Sequence, residues 1–118
     1  MRKSLPNKLI GLVLLAGSLS SASAATIPSR DAIRHIGQTV TVSGRATLTF
    51  MRSGEVYIDL DGQGEYAPFA GYVSRWNRMN FQTLSALNGK IVQITGQIAT
   101  FRDQPQIALR DASQIAVK

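Results

Sequence analysis

Between Gln38 and Met51 the chain alternates. Val40, Val42, Ala46, Leu48 and Phe50 take even positions, while Thr39, Thr41, Ser43, Arg45, Thr47 and Thr49 take odd ones. A period of two sends the two sets to opposite faces of a strand, so the even set is expected inward. Gly44 falls on that inward face in mid-strand, where a glycine marks a bend, a bulge or a close backbone approach. The pattern recurs: GQTVTVSGRA at 37–46 aligns with GKIVQITGQI at 89–98, Gly37 on Gly89, Val42 on Ile94 and Gly44 on Gly96. Both read as strands under one constraint, apolar residues inward and then a glycine where the strand must bend.

The other segments follow by the same reasoning. Residues 52–54 form a turn. A second strand over 55–62 puts Val56, Ile58 and Leu60 inward and Glu55, Tyr57, Asp59 and Asp61 outward. A third, 68–74, has Phe69 and Val73 on one face and Tyr72 on the other. Residues 75–89 predict a helix with Phe81, Leu84 and Leu87 as its apolar stripe and Gly89 as its stop, and Trp76 is expected to cap the core. The fourth strand covers 90–101 with Val92, Ile94 and Ile98 inward. The fifth covers 105–110 with Ile107 and Leu109 inward, and a tail docks through Ile115 and Val117. Ahead of the first strand, 30–36 predicts a short helix with Ser29 as N-cap and Ala32, Ile33 and Ile36 on one face. Gly37 ends it.

The start of the chain changes the reading of charge. Arg2, Lys3 and Lys8 precede an apolar run from Leu9 to Ala16, and Ala22-Ser23-Ala24 is a small-residue cleavage pattern. Residues 1–24 therefore read as a secretory signal peptide and 25–118 as a single domain that is periplasmic or secreted. The apolar run is shorter than the roughly 20 residues of a membrane span. The formal charge is +6, and removal of Arg2, Lys3 and Lys8 halves it. The remainder is mildly basic and lacks the dense basic stripe of a duplex-DNA binder. There is no cysteine, so disulfides and thiolate zinc sites are excluded.

Five strands with a helix between the third and fourth, behind a short N-terminal helix, predict a mainly β Greek-key barrel. The VTVSGRA and VQITGQI strands, the YIDLDG second strand and the aromatic third strand resemble small exported bacterial proteins of the OB-fold, similar to nucleic-acid-binding OB domains. That resemblance covers about residues 27–117. It implies a five-stranded barrel binding its ligand across strands 2 and 3, between the loops at 51–54 and 101–104.

The resemblance makes nucleic acid or an oligonucleotide the first expected ligand of a non-catalytic module. Tyr57 and Tyr72 would stack on bases, with Arg45, Arg52, Arg102 and Arg110, and Arg75 beside them, along the phosphates. Glu55, Asp59 and Asp61 share the outward parity of Tyr57 and would repel a polyanion. They favour the alternative, a periplasmic protein–protein or small-ligand module, cations included. DLDGQGE at 59–65 resembles the start of a calcium loop, but Ala70 stands where the twelfth-position glutamate belongs. Asp59, Asp61, Arg45 and Arg102 are residue types that a metal-dependent nuclease uses, though the surrounding sequence does not resemble the OB-type thermonucleases. The single His35 has no evident serine partner. No cofactor or resident metal is expected.

Overall fold

The computed structural model describes residues 24–118. The expected signal peptide, apart from Ala24, lies outside them. Among the described residues there are eight strands: β1 (Thr26–Pro28), β2 (Thr39–Phe50), β3 (Val56–Leu60), β4 (Phe69–Val73), β5 (Ile91–Gln97), β6 (Ala99–Phe101), β7 (Gln104–Leu109) and β8 (Ile115–Val117). They form one open sheet in the order β6-β7-β4-β3-β2-β5-β8, with β1 alongside β2 in parallel.

β2 organises the sheet because it changes partner halfway. Its first part, Thr39 to Arg45, runs antiparallel to β5, and its second, Ala46 to Phe50, runs antiparallel to β3. The change falls just after Gly44. A Cβ at Gly44 would come within 2.4 Å of Asp61 Oδ2, so the glycine is required by close approach. The Asp61 carboxylate occupies that space as a latch: it accepts from the Arg45 N–H at 3.0 Å and from the Ser29 hydroxyl. Gly96 meets the same kind of limit, since a Cβ there would lie 2.6 Å from Ile107 Cγ2.

The core lies under the inward residues of these strands. Val42, Val56, Ile58, Leu60, Phe69, Val73, Val92 and Ile94 are fully buried, and Ile98, Ile107 and Leu109 nearly so. The alternation in β2 holds for Val40, Val42 and Ala46 and then fades. Leu48 is half-buried and Phe50 is 47% exposed, because β2 outruns the core, and the Arg78 guanidinium lies 5.4 Å from the Phe50 ring centroid.

Several expectations are corrected. The expected five-stranded Greek-key barrel is an open eight-stranded sheet among the described residues. Ile98 turns into the core and divides the expected fourth strand into β5 and β6. The tail then adds β8 to the outer edge of β5, pairing Val92 with Val117 and Ile94 with Ile115. With that edge taken, β5 and β7 face each other across the core through Gly96 and Ile107 without forming a hydrogen-bonded ladder.

The expected helix at 75–89 is two short 3₁₀ helices, Arg78–Asn80 and Leu84–Leu87, separated by extended backbone at Phe81. Neither has a side-chain cap, which leaves little to propagate an α-helix. The N-terminal helix is also 3₁₀, Ser29–His35. Pro28 is its N-cap, and the Ser29 hydroxyl is spent on Asp61. Its tighter winding buries Ala32 and leaves Ile33 and Ile36 exposed. Trp76 does not cap the core: it is 74% exposed, with the Arg75 guanidinium 4.4 Å from its ring centroid.

Candidate functional site

The outward face of β2, β3, β4 and β7 carries two rows of side chains fixed by strand register. Thr49, Tyr57, Tyr72 and Ala108 form one row. Thr47, Asp59, Ala70 and Gln106 form the other. Tyr57 and Tyr72 are directly opposed, with ring centroids 5.2 Å apart and planes tilted by 53°. The Tyr72 hydroxyl donates to Glu55 Oε2 at 3.2 Å. Burial, then that hydrogen bond and the Glu55 charge, raise its pKa above the usual value, so the phenol stays protonated at neutral pH.

Beside the tyrosines the face deepens into an open groove of about 650 Å³. Its floor includes Tyr57, Asp59 and Gln106. Met51, from the turn after β2, lines one side, and Phe101, Arg102 and Gln104, from the β6–β7 hairpin, line the other. Arg30 and Ile33 reach it from the first 3₁₀ helix. The hairpin turns through two residues in left-handed conformation, Arg102 at φ 51° and Asp103 at φ 64°. Two consecutive residues of that kind make the tight turn whose twist matches paired strands. Arg102 therefore stands at the tip, exposed, its guanidinium 5.2 Å from the Phe101 ring centroid.

Of the six residues singled out in the sequence, Tyr57 and Arg102 line the groove, and Tyr72 adjoins it through Tyr57. The other three arginines do not line it. Arg45 donates to the Gly89 carbonyl at 2.6 Å, at the junction of β2 with β5. Arg52 is exposed on the turn after β2. Arg110 is exposed at the end of β7, where its backbone carbonyl accepts from Asn80. Sequence reasoning missed Arg30, Met51, Phe101, Gln104 and Gln106. Met51 and Phe101 were within the named loops and are 43% and 50% exposed, and large apolar side chains in loops beside an aromatic strand were the signal available.

The carboxylates are individually engaged. Asp59 is only 3% exposed and accepts from the Gly64 N–H at 2.8 Å. Burial raises its pKa above the ordinary 3.8, and the Gly64 hydrogen bond works against that. Glu55 accepts from Ser53 and Tyr72, and Asp61 is the latch beside Gly44. Asp59 and Asp61 thus hold separate partners, Gly64 for one and Arg45 with Ser29 for the other. Among the described residues no three Asp, Glu, His or Cys side chains converge to hold a metal ion. Nor is any helix among them long and apolar enough to cross a membrane.

No family model matches this sequence, and no curated protein does. Solved structures share the fold. One, described as an aspartyl-tRNA synthetase from Leishmania major Friedlin, superposes with a TM-score of 0.50 at 11% identity. The match covers 88% of this chain and 22% of that one, so this chain spans about a fifth of its length. At that identity the likeness concerns the fold alone.

Proposed function

We propose that this protein is an exported, non-catalytic OB-like module whose groove over β3 and β4 binds single-stranded nucleic acid. The observation that carries the reading is the Tyr57–Tyr72 pair on an open strand face, continuous with a groove that bears Arg102 and Arg30. Adjacent aromatic rings give successive bases a stacking platform, and cations beside it follow the phosphates. The antiparallel β2-β3-β4 run, the parallel β4–β7 pairing and the flanking loops support the OB-like assignment. The fold shared with part of an aspartyl-tRNA synthetase supports it further. Glu55 and Asp61 accept hydrogen bonds away from the groove, whereas Asp59, Glu65 and Asp103 line it beside Arg30 and Arg102 and weigh against a polyanion.

Titration of fluorescent dT12 and rU12 at several salt concentrations tests the reading. Affinity should fall as salt rises, by about 0.7 log units per log unit of salt for each phosphate contacted. Tyr57→Ala should weaken binding by about 1–3 kcal/mol, the value of one stacked base. Arg102→Ala should flatten the salt dependence by roughly one contact. Absence of binding to either strand at low salt would sink the proposal.

A second reading, a protein-binding module, is favoured by one observation away from the groove. Met79, 85% exposed, lies with Phe50 and Arg78 around a shallow pocket, and Trp76, 74% exposed, stacks on the Arg75 guanidinium. Unchanged strand binding in Trp76→Ala, together with loss of a partner from a pull-down, would support it.

A further inference from the structure

One end of the sheet gathers cations and large exposed apolar side chains. The turn at 51–54 joins β2 to β3, and residues 74–81 leave β4 beside it, because Val56 pairs with Val73. β7 runs parallel to β4, so the Arg102 hairpin before β7 lies at the other end of these strands. Residues 74–81 wind through successive i→i+3 hydrogen bonds. The Asn77 N–H donates to Ser74 O, the Asn80 N–H to Asn77 O and the Phe81 N–H to Arg78 O, at 3.0–3.1 Å. Winding of that kind eclipses side chains three residues apart. It sets Arg75 with Arg78 in one row and Trp76 with Met79 in the next.

The arginine row is held against the turn. Arg78 Nη1 donates to Gly54 O at 2.9 Å, and a Cβ at Gly54 would come within 2.9 Å of Arg75 Cβ. Each guanidinium also lies over an aromatic ring, Arg75 over Trp76 and Arg78 over Phe50. The other row is exposed, and Met79 shares a shallow pocket with Phe50 and Arg78. Arg52 is exposed in the turn. Residues 50–55 and 74–81 thus carry three arginines against one carboxylate, Glu55, which accepts from Ser53 and Tyr72. Arg110 and Asp111 adjoin them through the Asn80–Arg110 hydrogen bond and offset each other in charge.

The excess positive charge calls for an anionic partner, and the apolar side chains decide which kind. A guanidinium already covers one face of each ring, and Met79 offers a base no flat surface to stack on. A bilayer interface accommodates every part at once. Tryptophan rings settle at headgroup level, arginines keep their heads among the phosphates, and methionine and phenylalanine reach toward the acyl chains. We propose that this end of the molecule, Trp76, Met79 and Phe50 ringed by Arg52, Arg75 and Arg78, docks on an anionic phospholipid surface. The contact is peripheral, and it stands independently of strand binding in the groove.

Trp76 is the only tryptophan in the chain, so its fluorescence reads this patch directly. The purified protein is titrated with vesicles of equimolar phosphatidylglycerol and phosphatidylcholine, and with vesicles of phosphatidylcholine alone. On the anionic vesicles the emission should move to shorter wavelength, and bromine-labelled acyl chains should quench it. Phosphatidylcholine alone should do neither at the same lipid concentration, and added salt should weaken the response. Arg75→Gln should lower affinity for the anionic vesicles about fivefold, the value of one arginine near a charged surface. Met79→Ser keeps the probe and every cation, and should lower affinity severalfold by removing an apolar contact.

An unshifted emission on anionic vesicles at low salt would overturn the proposal. So would sedimentation with the vesicles while Trp76 stays in water, since another segment would then make the contact. An equal response to both vesicle types would remove the charge complementarity, and unchanged affinity in Met79→Ser would remove the apolar insertion; either result overturns the docking geometry. A shift produced by dT12 in place of lipid would assign the patch to the strand. A shift that grows with protein concentration and needs no lipid would assign it to a second copy of the chain, and both outcomes overturn the inference. The wild-type comparison of the two vesicle types needs no variant, so a misfolded substitution does not shield the proposal.

Discussion

Asp59 carries its charge at 3% exposure, with a single backbone N–H on one oxygen. Burial places its folded-state pKa above the unfolded value of 3.8. The sign of the consequence is unusual for a carboxylate. A raised folded-state pKa means that the folded protein holds the proton more tightly than the unfolded chain does. Ionisation at neutral pH therefore costs stability, and acidification through the folded-state pKa relieves that cost. Asp59→Asn should leave the melting temperature at pH 7 unchanged or raised, and its difference from wild type should close as pH falls through that pKa. A melting temperature several degrees lower at pH 7 would mean that the fold requires the carboxylate. Asp61, two residues on, has a φ of 59°, and its two oxygens are taken by the Arg45 N–H and the Ser29 hydroxyl. The outward parity of Asp59 was legible from alternation, but its burial was not, because it depends on the loop that brings the Gly64 N–H back to it and on the strand pairing that sets Gln106 across Ala70. Gly44 and Gly96 were legible as constrained positions. What constrains them, Asp61 in one case and Ile107 in the other, is a contact between segments that the sequence does not place together.

The β6–β7 hairpin and the strands it joins show what an element contributes. Phe101 pairs with Gln104, and the two residues between are both left-handed. Turns of this kind favour Asn-Gly or Asp-Gly, yet here an arginine holds the first position. The left-handed region costs an ordinary L-residue roughly 1–2 kcal/mol, less for asparagine. Arg102→Asn should therefore stabilise the protein by about 0.5–1 kcal/mol in chemical denaturation while weakening strand binding and its salt dependence. Unchanged binding would remove Arg102 from the phosphate path. Strand periodicity was the most legible element-level signal, since β2, β3 and β4 fall within the spans it predicted and β7 differs by one residue at each end. The helices were less so. Phe81, Leu84 and Leu87 recur every three residues, a spacing shared by α and 3₁₀ winding. Extended backbone at Phe81 and the absence of caps decide for two short turns.

At the scale of the molecule, sheet topology determines what reaches the groove. The parallel pairing of β4 with β7 brings Gln106 beside Ala70 and Asp59, and the first 3₁₀ helix brings Arg30 and Ile33 to the rim. At the other end of the chain order, β1 begins at Thr26, and the Ala25 carbonyl accepts from the Thr41 N–H at 2.8 Å. A cut after Ala24 therefore keeps every strand and that hydrogen bond. If the proposed export holds, the protein expressed in a bacterium should have a mass beginning at Ala25 and appear in the periplasmic fraction. A chain that keeps Met1 and stays in the cytoplasm would overturn export. Alternation of apolar and polar residues determined the principal strands and most of their inward faces, because that pattern depends only on neighbours along the chain. Glycine placement located two of the tight approaches, at Gly44 and Gly96, for the same reason. Only the tertiary structure decided that the sheet stays open, that Arg45 and Arg110 lie apart from Arg102, and that Asp59 is buried. Each of these depends on which edge the tail takes and which loop folds over which strand, contacts between residues far apart in sequence that no local periodicity encodes.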